Sequence, residues 1–155
     1  MPEINLNYPP QWSNGPSYAQ KAAGKFPSVA IANGKRYERQ AIAHLAAYFA
    51  LQGKEFKASP WLYYQEISGR YNYCQPDFLV ITESEIKIFE IKIRHTREAI
   101  PQLKKYHSVL SILYPDKQFT LIEFCRTFDP AEGFLPILDS LGASCNEIGA
   151  YIWRP

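Results

Sequence analysis

Two short apolar runs near the middle of the chain, Phe78-Leu79-Val80-Ile81 and Ile86 to Ile93, are bounded by polar residues and read as buried strands. Thr82-Glu83-Ser84-Glu85 between them reads as a tight polar turn. Around this hairpin the pattern predicts further elements. Ile42, Leu45, Ala46 and Phe49 recur at helical spacing, so Gly34 to about Gln52 is expected to be a helix, with Gly53 just past its end. Trp61 to Ile67 reads as a strand, Ser68-Gly69 as a turn, and Tyr71 to Ile81 as the returning strand. Ile100, Leu103, His107, Leu110 and Leu113 form the stripe of a second helix, Glu98 to Leu113. Its first turn tolerates Pro101 because no N–H is needed there. Phe119 to Cys125 predicts a strand, Phe134 to Leu141 a last helix and Ile148 to Trp153 a last strand. Helix, three-strand meander, helix, strand implies an α/β fold: a mixed central sheet flanked by helices.

The apolar runs also contain charges. Asp77 opens the first, and Glu90 and Lys92 lie within the second. With the turn centred on Glu83 and Ser84, Asp77 falls directly opposite Glu90, with Cβ atoms roughly 5 Å apart. Two carboxylates that close among apolar neighbours oppose folding unless a positive group lies between them, and a divalent metal ion is the natural candidate. Strand alternation aims Lys92 at the same face. The triplet Glu-x-Lys also occurs at Glu55-Phe56-Lys57, placed in a polar loop, and at Glu85-Ile86-Lys87, placed at the turn and solvated.

These residues resemble the PD-(D/E)XK nuclease superfamily. Gly34-Lys35-Arg36-Tyr37-Glu38 looks like the Gly-x-x-x-Glu motif of its RecB-type, lambda-exonuclease-like branch, and Gln102-Leu103-Lys104-Lys105-Tyr106 looks like its Gln-x-x-x-Tyr helix motif. The elements stand in family order over about Gly34 to Arg126. The resemblance implies a restriction-endonuclease-like αβββαβ core and a metal-dependent deoxyribonuclease. Asp77 and Glu90 would be metal ligands, with the backbone carbonyl of Ile91 completing the shell and Glu38 reaching the metal directly or through water. Lys92 would be the catalytic lysine, with Gln102 and Tyr106 lining the cleft. The implied cofactor is Mg²⁺, with Mn²⁺ able to substitute. Some relatives carry a four-cysteine iron–sulfur cluster, which Cys74, Cys125 and Cys145 cannot reproduce, so no cluster is expected.

Composition narrows the setting. A chain of 155 residues suits one core, and no long apolar run predicts a membrane span. Three scattered cysteines and the lack of a signal pattern suit reduced thiols in the cytoplasm, or in a host cell or virion for a phage protein. Net charge is only +2, but seven Lys/Arg against three acids in residues 1–60 and six against three in 93–126 flank the expected site. Lys35, Arg36, Arg39, Arg94, Arg97, Lys104 and Lys105, with His95, are expected to contact DNA phosphates. His44 and His107 read as partly buried histidines of the helices. Residues 1–33, with Tyr8, Trp12 and Tyr18 among Pro, Asn and Ser, are expected to form an extended arm on a 34–155 domain. The arm would bind its own domain, a second copy or another protein, with Trp12 as main anchor. A second functional class stays open: a DNA-binding or assembly component of the same fold, such as part of a phage particle, using little catalysis.

Overall fold

The computed structural model describes residues 3–15, 29–132 and 135–155, with the side chains of 29–32 and 132 excepted. Among the described residues, two sheets and two α-helices make up an α/β architecture. The larger sheet is mixed. Its strands β2 (Glu55–Ala58), β5 (Phe78–Ile81), β6 (Glu85–Arg94), β7 (Gln118–Thr127) and β8 (Ile148–Ile152) lie in the order β2-β5-β6-β7-β8. β2, β5 and β6 run antiparallel to one another, whereas β6, β7 and β8 are parallel. β5, β6 and β7 read as nearly unbroken apolar runs because both their faces are covered.

Helix α1 (Val29–Leu51) covers one face. Tyr37, Ala41, Leu45 and Phe49 recur every four residues and pack on Phe78, Val80, Phe89, Ile91, Ile122 and Phe124. The helix stops where Gly53 adopts φ 66°, with Lys54 N–H bonded to Phe49 O and Gly53 N–H to Ala50 O, a Schellman cap. Helix α2 (Ala99–Leu113) covers the other face through Leu103, Tyr106, Val109 and Leu110, packed on Leu79, Ile81, Ile86, Ile88 and Leu121. The smaller sheet, β1 (Gln11–Ser13), β3 (Trp61–Gln65) and β4 (Tyr71–Cys74), adds Leu62, Tyr64 and Cys74 to that same core. No helix among the described residues is long and apolar enough to cross a membrane.

Several elements differ from expectation for identifiable reasons. α1 begins at Val29 rather than Gly34, so the boundary of the expected arm falls inside a helix. Val29-Ala30-Ile31-Ala32 are compatible with helix, and Gly34 within it costs only about 1 kcal/mol. The arm does pair with a sheet, since Gln11, Trp12 and Ser13 lie opposite Tyr63, Leu62 and Trp61. Trp12 is 37% exposed, with the Lys57 ammonium 4.8 Å over its ring. Gly15 fits against the Trp61 indole, where a Cβ would come within 2.6 Å. Tyr18 lies outside the described residues.

The predicted strand from Tyr71 to Ile81 is broken. Pro76 cannot donate to a ladder, and β4 and β5 belong to different sheets on either side of it. Glu55–Lys57 is a strand rather than a loop: Phe56 stacks on Phe78 at 5.3 Å, and pairing with β5 overrides the local polarity. Where a helix was expected near 134–141, the described residues 135–141 hold none. Pro136 removes an N–H, and this stretch pairs instead with β8 through Leu138 N–H to Ala150 O and Ala150 N–H to Pro136 O.

Candidate active site

Asp77 sits where a long two-stranded hairpin bends from one sheet into the other. Opposite it Ser59 holds a positive φ of 47°, uncommon for a residue with a side chain. Ser59 N–H donates to Asp77 O at 2.8 Å, and Gln75 Nε2 donates to Ser59 O at 3.0 Å. Beyond the bend Phe78 faces Phe89 and Leu79 faces Ile88, so the ladder carried one step further sets Asp77 against Glu90. Asp77 Oδ2 accepts the Ile91 N–H at 2.7 Å.

Glu90 shares strand parity with Ile86 and Ile88 and therefore points to the α2 side of the sheet. It is 4% exposed. Lys92 Nζ lies 3.3 Å from Glu90 Oε1, and the Tyr106 hydroxyl of α2 donates to the Glu90 carboxylate. Among the described residues, Glu90 Oε2 is buried without a hydrogen-bond partner, and so is Gln102 Oε1 on the turn of α2 before Tyr106. An unpaired buried carboxylate oxygen is costly, and a cation or a hydrogen-bond donor would relieve it.

The electrostatics are those of a strained cluster. Burial, then the nearby Glu90 and Glu38, push Asp77 up to about 8, against the opposing pull of the Ile91 N–H and of Lys92. Burial also raises Glu90, with Glu38 adding to it, while Lys92 and Tyr106 work the other way. Tyr106 is itself raised, by burial first and then by Glu90 and Asp77. Glu38 of α1 raises both strand carboxylates electrostatically, although its helix packs on the opposite face. Asp77, Glu90, Lys92 and Tyr106 are thus drawn to one end of the sheet. Gln102 belongs to the same helix face as Tyr106, four residues away, with its oxygen unsatisfied.

The expected phosphate-contacting residues divide. Lys35, Arg36, Arg39, Arg94, Arg97 and Lys104 are exposed. Lys105 is half-buried, its ammonium 5.9 Å over the Tyr64 ring. His95 does not reach solvent. It is 2% exposed, its ring stacks on Phe128 at 4.5 Å, and its Nδ1 lies 2.5 Å from Glu123 Oε2. The partner Glu123 went unnoticed in the sequence because a lone Glu in an apolar strand has no neighbour at a telling spacing. Its other oxygen accepts the Thr96 N–H at 3.0 Å, so the pair ties the turn before α2 to β7. His44 stacks on Trp153 at 4.7 Å, and His107 packs against Phe119 at 4.6 Å with its pKa lowered by burial.

Among the described residues, no group of three or more His, Cys, Asp or Glu side chains is arranged to hold a metal ion by itself. The donor chemistry is two strand carboxylates, one with a free buried oxygen, beside a lysine. Mg²⁺ fits such a set, since it takes hard oxygen ligands, commonly only one or two protein carboxylates, and draws the rest from water and substrate phosphate. No protein-family model matches this chain, and no curated protein or solved structure matches it.

Proposed function

We propose that this protein is a Mg²⁺-dependent nuclease that hydrolyses DNA phosphodiester bonds at the Asp77–Glu90 site. The observation that carries the reading is Glu90: a buried carboxylate, raised in pKa, opposite a second raised carboxylate and left with an unpartnered oxygen. Asp77, Glu90 and the Ile91 carbonyl would hold the metal, with Glu38 reaching it through water. Bound there, Mg²⁺ supplies Lewis-acid polarisation of the phosphate and a water of lowered pKa.

The chain's own groups do the rest. The Ile91 N–H keeps Asp77 turned toward β6. Tyr106 fixes the Glu90 carboxylate and leaves its second oxygen open. Lys92, 27% exposed at its side chain and 3.3 Å from Glu90, is placed to orient the attacking water or to neutralise charge on the phosphate in the transition state. Lys35, Arg36, Arg39, Arg94, Arg97 and Lys104 supply solvent-facing positive charge for the DNA backbone.

The test is cleavage of linear, nicked, branched and circular DNA with and without Mg²⁺, run beside Glu90→Gln. Mg²⁺-dependent products from the wild type and none from the variant are expected. Equal cleavage by both would overturn the assignment.

A further inference from the structure

The outer face of the small sheet carries a feature that catalysis at Glu90 does not use. Alternation along β3 turns Leu62 and Tyr64 into the core and Trp61, Tyr63 and Gln65 outward. In β4, Tyr73 pairs with Tyr63 and Tyr71 with Gln65, so both tyrosines join the outward side. The four aromatic rings form an unbroken row. Tyr71 and Tyr63 stack at 5.1 Å with planes only 8° apart, Tyr63 to Tyr73 is 5.1 Å, and Tyr73 to Trp61 is 6.1 Å. Tyr71 is 54% and Tyr73 37% exposed. At one end of the row, Tyr8, Gln11 and Gln65 border a cavity of about 170 Å³ next to Tyr63 and Tyr71.

The chemistry of this face selects its occupant. The described residues of β1, β3 and β4 offer π faces and side-chain amides there and no aliphatic side chain; the nearest exposed one, Ile67, lies two residues past Gln65. β1, β3 and β4 contain no Asp or Glu, and Glu66, next along β3, alternates to the other side and bonds Asn72 at 2.7 Å. Positive charge flanks the face at Arg70, exposed in the β3–β4 turn. The face also adjoins the carboxylate site: β4 runs directly into Asp77, four residues beyond Tyr73 and at most roughly 13 Å away along extended chain.

We propose that this aromatic row is a stacking platform for the bases of single-stranded DNA leading to the Asp77–Glu90 site. Every base presents a π face, so such a platform binds without sequence preference and is blind to duplex, whose bases are already stacked. The choice of DNA rests on the nuclease reading, but the stacking itself needs neither metal nor catalysis.

The experiment separates the two. Full-length Glu90→Gln protein in EDTA is titrated by fluorescence anisotropy with oligo-dT of roughly 12 nucleotides, an abasic strand of equal length and charge, and a matching duplex. Oligo-dT is expected to bind at least about tenfold more tightly than the abasic strand, since stacking is worth about 1–3 kcal/mol per base. That advantage should vanish in Tyr63→Ala/Tyr71→Ala and survive in Tyr63→Phe/Tyr71→Phe. If the double alanine variant does not fold, Tyr71→Ser alone, at a surface position, should reduce the preference several-fold. Equal binding of oligo-dT and abasic strand, or an unchanged preference in the alanine or serine variant, overturns the platform. A dT preference without Mg²⁺-dependent cleavage by the wild type would leave the platform standing and remove the nuclease.

Discussion

Strand β6 contains the same triplet twice, Glu85-Ile86-Lys87 at its start and Glu90-Ile91-Lys92 near its end, and the two copies have opposite characters. The ion pairs have nearly equal lengths, 3.2 Å for Lys87–Glu85 and 3.3 Å for Lys92–Glu90. At the first, every group is satisfied. Lys87 Nζ donates to Ala143 O at 2.6 Å, and Ser144 and Thr120 hydroxyls donate to Glu85 Oε2. Burial alone would raise Glu85, but these hydroxyls and Lys87 outweigh it and hold the carboxyl below its ordinary range. At the second, burial and neighbouring carboxylates raise both Glu90 and Asp77, and one oxygen of Glu90 has no partner. A satisfied charged pair holds a loop in place. An unsatisfied one stores free energy that a bound cation or substrate can release.

Substitution should separate the two triplets most sharply. Glu90→Gln is expected to lower Mg²⁺-dependent cleavage by on the order of 100-fold or more while thermal stability stays equal or rises, since it removes one of two repelling carboxylates. Lys87→Met should do the reverse. It strands Glu85 and the Gly142 and Ala143 carbonyls, costing about 3 kcal/mol in urea unfolding, with activity per folded molecule retained. A Lys87→Met protein that is fully stable but inactive would erase the distinction.

The pH dependences should also have opposite signs. Asp77 and Glu90 have raised folded-state pKa values, so their contribution is full below the unfolded carboxylate range and is lost as pH rises, for Asp77 through about 8. Glu85 has a lowered pKa, so its contribution is present above the ordinary Glu range and lost as pH falls. Metal-free protein should therefore lose stability between about pH 5 and 8. Mg²⁺ should restore more of it at pH 8 than at pH 5, because binding requires the ionised carboxylates. Melting curves at both pH values, with Mg²⁺ and with EDTA, read this directly, and a Mg²⁺ shift that shrinks toward pH 8 would contradict it.

The smallest expected effect is that of Tyr106→Phe. It removes only the hydroxyl that orients Glu90, so a drop of about tenfold in cleavage is expected, in line with one hydrogen bond to a charged group. Single-turnover rates at saturating Mg²⁺ check it, and a loss as large as that of Glu90→Gln would mean that Tyr106 does more than orient.

Much of the architecture was legible because local pattern and burial agree. The stripe on α1, the stripe on α2 and the apolar runs of β5, β6 and β7 each state which side is buried, and the turn at Glu83-Ser84 sets the register that brings Asp77 level with Glu90. Other features were invisible for a common reason: they depend on partners distant in sequence. Glu55–Lys57 is polar, yet it becomes a strand because β5 offers it a ladder and Phe78 a stacking surface. His95 lies among basic residues and looks solvent-facing, but Glu123, 28 residues away, draws it inside.

The amino-acid order by itself therefore determined the alternation of helices and strands, the hairpin register and the residue types that meet at its end, since these follow from periods of 3.6 and 2 and from a short turn. Only the tertiary structure decided which of the two Glu-x-Lys triplets is at rest. Ser144, Gly142 and Ala143 come from more than fifty residues away to satisfy Lys87 and Glu85, whereas the described residues beyond β6 bring Tyr106 but no partner for the last oxygen of Glu90. Burial and hydrogen bonding are properties of the assembled neighbourhood, and identical triplets acquire different protonation and different chemistry within it.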